Sequence, residues 1–246
     1  MEQIEYLREI AKKGGPDPSE YEQVAACFEF IMKSIRDGEH STDNLITIAN
    51  SLGDVFSLGT TQGFVFQKPY GYAGDFEIID KIYQRFTSPH AHLAKWDNFA
   101  HSRRSNQAVR NRKEYFIKLL EDRTNSSISS EVFNVLNVGS GPARDVCEFL
   151  EKHNNRRVTF DCLDQEPLAV EYAKSVCSKY LDRISFISAN VFRFNPQTTY
   201  SLVWSAGLFD YLDDKAFLFL LKRLCLFSAP NGEVVVGNFS PLNPDQ

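Results

Sequence analysis

The chain has 246 residues, of which 43% are hydrophobic, and a formal net charge of −5. This length and composition allow a sizeable hydrophobic core, whereas the acidic balance argues against a protein that mainly binds nucleic acid. No run of residues approaches the ~20 apolar positions needed to span a bilayer, and the acidic N-terminus does not resemble a secretory signal, so we expect a cytoplasmic protein that binds neither membranes nor nucleic acids.

The first half of the chain, up to about residue 125, has the apolar spacing of helices. The stripe Ile4, Leu7 and Ile10 predicts a first helix, Asp17 opens a second, and Ser41 caps a third. A turn-rich loop, a short helix and a long helix are expected after them, over residues 67–75, 76–86 and 101–121. This half is therefore predicted to be all-helical.

After residue 125 the pattern changes to strands that alternate with helices. Five apolar runs are predicted as strands, over residues 132–138, 158–163, 184–187, 200–204 and 233–239. This alternation requires crossover connections, which build a parallel sheet. We expect a helical domain over residues 1–125 and an α/β domain over residues 126–246, joined by a linker at Thr124–Ser127.

A glycine turn joins the first predicted strand to its helix. Gly139, Ser140 and Gly141 form it, and glycines here let a ligand approach the backbone beside the N-terminus of a helix. The dinucleotide-binding motif needs a third glycine where Arg144 stands, which argues against a nicotinamide or flavin dinucleotide. A purely structural turn is the alternative.

Two polar positions at the ends of the next strands strengthen the prediction of a nucleoside site. Asp164 ends the second strand, 25 residues after Gly139, where an acid can accept the hydroxyls of a ribose. Asn190, followed by Val191, ends the third strand, where an amide and an apolar neighbour can meet an adenine. The alternatives are a helix N-cap for Asp164 and an ordinary turn residue for Asn190.

In their order and spacing, these residues resemble the motifs of class I S-adenosylmethionine-dependent methyltransferases over residues 130–240. The resemblance implies a Rossmann-like parallel sheet, S-adenosylmethionine as cofactor and S-adenosylhomocysteine as product. The cofactor-binding residues that it implies are Gly139, Ser140, Gly141, Asp164, Gln165, Asn190, Val191 and Ser205. Two positions depart from the family, since Asn137 replaces its usual acid and Ala143 a common third glycine.

Strands six and seven of the family's sheet have no counterpart before the end of this sequence. A sheet that stopped at strand five would leave an unpaired edge. We therefore expect that edge to be covered, by a second copy of the chain, by a partner chain or by a longer native C-terminus.

The loop Lys68–Asp75 is rich in groups that a connector does not need. Pro69 stiffens it, two glycines bend it, and Tyr72 and Asp75 could close over the cofactor and meet the substrate. A structural turn is the alternative. Together with residues 108–113 and 207–212, the loop resembles a bacterial methyltransferase group assigned to extracellular-factor biosynthesis, the making of 3-hydroxypalmitic acid methyl ester. That resemblance implies a carboxylate or hydroxyl oxygen as methyl acceptor.

Further candidates lie on the long helix and after the fourth strand. Arg112 is expected to pair with the carboxylate of the cofactor or of an acidic substrate, although a solvated basic face is the alternative. Asp210 and Tyr211 follow the fourth strand and are candidate catalytic residues. The histidines and the five scattered cysteines have no spacing typical of a metal site, so no metal is expected.

We therefore predict an enzyme that methylates a small molecule with S-adenosylmethionine. The alternatives are a non-catalytic subunit with the methyltransferase fold and a nucleotide-linked oxidoreductase.

Overall fold

The chain divides within one long helix into two compact units, Met1–Val109 and Arg110–Leu242. The computed structural model describes residues 2–38, 41–125, 132–153 and 157–240, without the side chains of Thr42 and Asp43. The sequence placed the boundary at residue 125, in a linker of which Ser126 and Ser127 lie outside the described residues. The boundary at Val109 differs because the second half of the long helix packs its apolar side chains in the sheet unit.

The first unit is helical, as the sequence predicted. Its described elements are α1 (Glu2–Lys12), α2 (Tyr21–Arg36), α3 (Thr42–Ser51), α4 (Thr61–Gln67), α5 (Phe76–Tyr83), α6 (Ala91–Ser102) and the start of α7 (Arg104–Asn125). Leu7, Val24 and Trp96 are at most 1% exposed at the centre of its core. Burying a side chain of this size contributes roughly 1.5–3 kcal/mol, so this core stabilises the unit.

Helix α6 lies where the sequence analysis predicted no element, between the short helix that ends at residue 86 and the long helix expected from residue 101. Its second half carries Asp97, a fully buried carboxylate. Asp97 accepts backbone N–H bonds from Thr61 at 2.6 Å and from Ser88 at 2.7 Å. The acid therefore fixes the start of α4 and the loop at Ser88. The long helix begins only at Arg104.

The second unit is a five-stranded parallel sheet within the described residues, with strand order β3-β2-β1-β4-β5. The strands are β1 (Phe133–Val138), β2 (Val158–Asp164), β3 (Ile184–Ser188), β4 (Tyr200–Ala206) and β5 (Ser228–Gly237). The helices between them are α8 (Arg144–Lys152), α9 (Pro167–Val176) and α10 (Asp214–Phe227). β5 begins at Ser228, five residues before the predicted start at Glu233. Its first residues, which the sequence suggested as a turn, pair irregularly with β4 and are part of the strand.

Both faces of the sheet are covered, as parallel sheets require. On one face Phe116 of α7 and Phe149 of α8 pack with Phe160 of β2, and all three are at most 1% exposed. On the other face Leu220 and Leu224 of α10 are fully buried against the remaining strand side chains. The sheet is thereby held rigidly enough to position the loops at its ends.

β3 and β5 are the outer strands of the described sheet. Residues 241–246, on which the expectation about strands six and seven partly rests, lie outside the described residues. No helix in the described part of the chain is both long and apolar enough to cross a membrane.

Candidate cofactor site

The sheet has one point where neighbouring strands send the chain in opposite directions. From β1 the chain crosses to β2 on one side, whereas from β4 it crosses to β5 on the other. The loops after β1 and β4 therefore separate and leave a crevice at the carboxyl ends of the strands, where open α/β sheets bind their ligands. The glycine turn follows β1 at this point.

The glycine turn is tightly folded. Gly139 and Gly141 have φ angles of 66° and 51°, which residues with a side chain rarely adopt. The N–H groups of Gly139 and Ser140 both donate to the carbonyl of Leu163, at 2.8 and 3.2 Å. A Cβ at Gly139 would lie 3.3 Å from that of Leu208, so a side chain there would be crowded as well as strained. The turn is therefore fixed against the end of β2.

Asp164, at the end of β2, lies beside this turn. One carboxylate oxygen accepts the N–H of Gly141 at 2.9 Å, and the other accepts the N–H of Glu166 at 3.0 Å. Burial raises the pKa of Asp164 despite these bonds. A carboxylate can accept about four hydrogen bonds, so Asp164 retains capacity for a pair of hydroxyl donors. The helix cap that follows is not Asp164 but Glu166, which accepts the N–H of Leu168.

Gln165 and Asn190 lie together after β2 and β3. The amide nitrogen of Asn190 donates to the Gln165 side-chain oxygen at 3.1 Å, and its oxygen accepts the N–H of Phe192. The side chain of Val191 is 7% exposed and packs in the core under α10. The two amides thus form an exposed polar pair, whereas Val191 stabilises the sheet unit.

Ser205 and Arg112 occupy the neighbourhood of β4. Ser205 is fully buried and donates to the carbonyl of Val138 at 3.0 Å, so its side chain ties β4 to β1. The guanidinium of Arg112 lies against Gly207, where a Cβ would be 2.5 Å from its nitrogen. Gly207 has φ 91°, so both its backbone and the space that it leaves require glycine.

Asp145 is a buried acid that the sequence analysis missed. It lies in the first turn of α8 and accepts from the side-chain amide of Asn137, the residue that replaces the family's usual acid, at 3.5 Å. Burial raises the pKa of Asp145 to about 6, against the opposing effect of Arg112. Asn137 at the end of β1 is thus joined to a carboxylate eight positions later, and only the fold brings the two side chains together.

Asp210 and Tyr211 lie in the short helical turn after β4. Asp210 accepts the N–H of Phe239 at 2.8 Å, which joins this turn to the segment after β5. Partial burial raises the pKa of Asp210, and Arg112 opposes that rise. Tyr211 is 58% exposed. Of the two candidates, Asp210 is the one whose carboxylate interacts electrostatically with Arg112.

Tyr72 and Asp75 belong to the helical unit, and their relation to the crevice stays a prediction. Asp75 is the N-cap of α5, where one carboxylate oxygen accepts the N–H groups of Glu77 and Ile78 at 2.9 and 3.0 Å. Its pKa is raised by burial. The ring of Tyr70 packs on Phe76 with centroids 4.6 Å apart. Much of this loop therefore has the contacts of a structural turn, while Tyr72 is partly buried.

Metal ligands are not grouped in the described residues, since no three His, Cys, Asp or Glu side chains come together there. All five cysteines are free thiols, and Cys225 is the exposed one. The expectation that no metal is used stays a prediction.

Comparison with known protein families found no family model that matches this chain. Two curated proteins of Ilyobacter polytropus are similar. Malonyl-acyl-carrier-protein O-methyltransferase 1 is 32% identical over 91 residues, which cover 37% of this chain and 33% of that protein. Malonyl-acyl-carrier-protein O-methyltransferase 2 is 29% identical over 113 residues, which cover 45% and 41%. The aligned parts span about a third to two fifths of these relatives.

A solved structure agrees on the fold, and a second shows a weaker similarity. A possible exported protein from Bordetella parapertussis is 19% identical and aligns with a TM-score of 0.58 over 72% of this chain and 60% of its own. The N-methyltransferase NodS from Bradyrhizobium japonicum WM9, crystallised with S-adenosylhomocysteine, is 18% identical and aligns with a TM-score of 0.43 over 52% and 61%. The Rossmann-like sheet expected from the sequence is confirmed, and part of the chain is similar in sequence to two O-methyltransferases.

Proposed function

We propose that this chain transfers a methyl group from S-adenosylmethionine to an oxygen atom of a small molecule, either a carboxylate or a hydroxyl. The observation that carries the proposal is Asp164, a carboxylate fixed by two backbone N–H groups beside the glycine turn, with acceptor capacity to spare. An adenosine offers two adjacent ribose hydroxyls to such a group. The acid and the turn together therefore fit the nucleoside half of this cofactor.

The remaining cofactor contacts would come from groups around the crevice. The glycine turn would hold the methionine part, and the exposed amides of Gln165 and Asn190 would meet the adenine edge. Arg112, which favours the charged forms of both Asp145 and Asp210, would pair with the cofactor carboxylate. These residues fit the cofactor in charge and in hydrogen-bonding type.

The bound cofactor would supply an electrophilic methyl group on a sulfonium. The protein would then need to align the acceptor oxygen and to exclude water. A carboxylate acceptor already carries its negative charge and needs no base. A hydroxyl acceptor needs one, and we propose Asp210, whose raised pKa makes it a stronger base than an unperturbed aspartate. Tyr72, Asp75 and Tyr211 stay candidates for contact with the acceptor.

An oxygen acceptor is also supported by the two curated relatives, which are named as O-methyltransferases of malonyl-acyl-carrier protein. A malonyl thioester carries one free carboxylate, so methylation at oxygen makes an ester. We propose an acidic small molecule as the first acceptor class to test.

The test has two stages. Calorimetry with S-adenosylhomocysteine and with NAD on the full chain should show binding of the first in the micromolar range, an order-of-magnitude expectation, and none of the second. Transfer of a labelled methyl group should then be measured with acyl carboxylates and with matched alcohols. Absence of S-adenosylhomocysteine binding would refute the proposal. Binding without transfer to either class would point instead to a non-catalytic subunit.

The cellular setting stays a prediction. We expect a cytoplasmic enzyme with a small-molecule acceptor, which forms a homo-oligomer or binds a partner chain. Light scattering during size-exclusion chromatography would measure whether the chain forms homo-oligomers.

A further inference from the structure

Two free thiols of the sheet unit, Cys147 in α8 and Cys177 at the end of α9, have no part in the proposed methyl transfer. The thiol of Cys147 donates to the carbonyl of Val176 at 3.5 Å. The thiol of Cys177 donates to the carbonyl of Ala143 at 3.5 Å, and that carbonyl also accepts the N–H of Cys147 at 3.0 Å. Each thiol therefore contacts the backbone beside the other cysteine, and the two sulfur atoms are neighbours.

The surroundings make these two thiols unequal. Their mutual hydrogen bond lowers the pKa of Cys147, against the opposing effect of burial. Arg144 also favours the Cys147 thiolate, whereas Glu151 and Glu148 disfavour it. The same hydrogen bond raises the pKa of Cys177, and burial adds to that rise. Because the thiolate is the form that reacts with oxidants, Cys147 should react first, beside a thiol that keeps its proton.

Burial decides what can follow the first reaction. Cys147 is 3% exposed and Cys177 is 0% exposed, so an oxidant reaches them only when the structure opens locally. Cys147 lies within the first turns of α8 and Cys177 is the C-cap of α9, and helix ends open at a lower free energy than helix centres. Once the structure closes again, the Cys177 thiol is beside the oxidised sulfur, whereas a second oxidant molecule is kept out. This arrangement favours a disulfide over further oxidation.

We propose that Cys147 and Cys177 are an oxidation site, which a peroxide converts to a reversible disulfide, and that this bond weakens cofactor binding at the glycine turn. The Cys147 thiolate attacks one oxygen of hydrogen peroxide, the O–O bond breaks, and a sulfenic acid and hydroxide form. The hydroxide takes up the proton that Cys147 released. The Cys177 sulfur then bonds to the Cys147 sulfur, the S–O bond breaks, and the leaving hydroxide takes the Cys177 proton. Two thiols are oxidised, one peroxide is reduced, and two water molecules are formed.

The effect on the cofactor, which rests on the proposed function, follows from the position of Ala143. This residue joins the glycine turn to α8, and its N–H donates to the carbonyl of Ser140 at 3.0 Å. Its φ of 49° is unusual for a residue with a side chain, so the contacts around it must hold it in place. A disulfide removes the Cys177 S–H group that its carbonyl accepts and draws the two sulfur atoms to about 2.05 Å. The glycine turn should therefore shift.

The first test maps the disulfide in the wild-type full chain and does not depend on any variant. The protein is incubated with hydrogen peroxide until the exposed Cys225 has reacted, the remaining thiols are blocked, and the protein is digested without reduction. Mass spectrometry should find the Cys147 and Cys177 peptides joined, and dithiothreitol should separate them. Cys177→Ser should instead leave a Cys147 sulfenic acid that dimedone traps, and Cys225→Ser, the matched control, should keep the disulfide. Two free thiols, or Cys147 joined to another cysteine, would overturn the proposal.

The second test is calorimetry with S-adenosylhomocysteine. Oxidation of the wild type and of Cys225→Ser should raise the Kd about threefold to tenfold, the range expected for one lost hydrogen bond and a shifted turn. Dithiothreitol should restore the affinity, and peroxide should not change the Kd of Cys177→Ser. A mapped disulfide with an unchanged Kd would overturn the link to the glycine turn. A reduced protein that binds no S-adenosylhomocysteine would refute the proposed function, while the peptide map would still decide whether the disulfide forms.

Discussion

Replacing Asp164 by asparagine tests the cofactor site at the residue that carries the proposal. The substitution keeps the size of the side chain but removes its charge and one of its two acceptor oxygens. Those two oxygens accept the N–H groups of Gly141 and Glu166. The asparagine oxygen should keep one of these bonds, whereas the asparagine NH₂ group, itself a donor, should face the other N–H group. Loss of the charge also leaves any ribose hydroxyl that binds there with a weaker acceptor.

The magnitude follows from these bonds. Hydrogen bonds to charged groups contribute about 1.5–3 kcal/mol, and a neutral amide retains part of this. We expect the loss of cofactor affinity to be about 1–3 kcal/mol, a rise of about 5- to 150-fold in the Kd for S-adenosylhomocysteine. The loss of stability should lie near the lower end of that range, because burial already disfavours the charged form of Asp164.

The assay is calorimetric titration with S-adenosylhomocysteine, with thermal unfolding of the same samples. Asp161→Asn is the matched control: it lies on the same strand, and its carboxylate accepts the hydroxyl of Tyr200 at 2.6 Å. That variant should lose stability without losing affinity. Wild-type affinity should fall as pH drops through the raised pKa of Asp164, and Asp164→Asn should flatten this dependence. A folded Asp164→Asn protein that binds within about twofold of the wild type would refute the assignment.

Four other residues give sharper tests of their own roles. Arg112→Gln should weaken binding of S-adenosylhomocysteine about tenfold in calorimetry while leaving that of adenosine, which lacks the carboxylate, unchanged; equal losses for both ligands would contradict the pairing. For Asp145 the folded pKa of about 6 lies above the usual 3.8, so the folded state binds the extra proton and wild-type stability falls as pH rises between these values. Denaturant unfolding should therefore show Asp145→Asn gaining about 2 kcal/mol on the wild type from pH 4 to pH 7, and a pH-independent difference would disprove the burial argument. Asp75→Ala removes the cap of α5 and should lower the free energy of unfolding by about 1–2 kcal/mol in the same assay. Unchanged stability would contradict this capping role. Tyr72→Phe should lower methyl-transfer turnover with little change in melting temperature, and unchanged turnover would leave this loop with a structural role only.

The sheet unit was predictable because its signals are local. The run Phe133–Val138 and the following Gly139 and Gly141 specify a buried strand and a tight turn within a few residues. Asp164 could be placed as well, since parallel strands end at the same edge and the acid ends β2. What the sequence did not give was Asp145, whose burial and partner depend on contacts across the fold.

The helical unit was less predictable because tertiary contacts determine its helices. α4 contains Gly63, which appears as a helix breaker in sequence. A Cβ there would lie 1.9 Å from the carbonyl oxygen of Ser57, so close packing requires the glycine. α6 likewise carries Asp97 and His101 on its buried side, where an amphipathic pattern would have apolar residues. Their partners lie elsewhere in the chain, at the N–H groups of Thr61 and Ser88 for the acid and at the carbonyl of Phe86 for the histidine.

The parallel order of the sheet also constrains how the chain folds. β1 pairs with β4 through Val135 and Leu202, which are far apart in sequence. Pairing these strands therefore closes a long loop, and the conformational entropy of that loop is lost before the contacts between the strands can offset it. The helical unit is rich in local contacts by comparison, and local contacts form faster. During synthesis at about 5–20 residues per second, β1 would wait several seconds for β4 to emerge. We therefore expect refolding in two phases, a fast one reported by helix content and a slow one reported by Trp204, whose side chain is buried only when β4 joins the sheet.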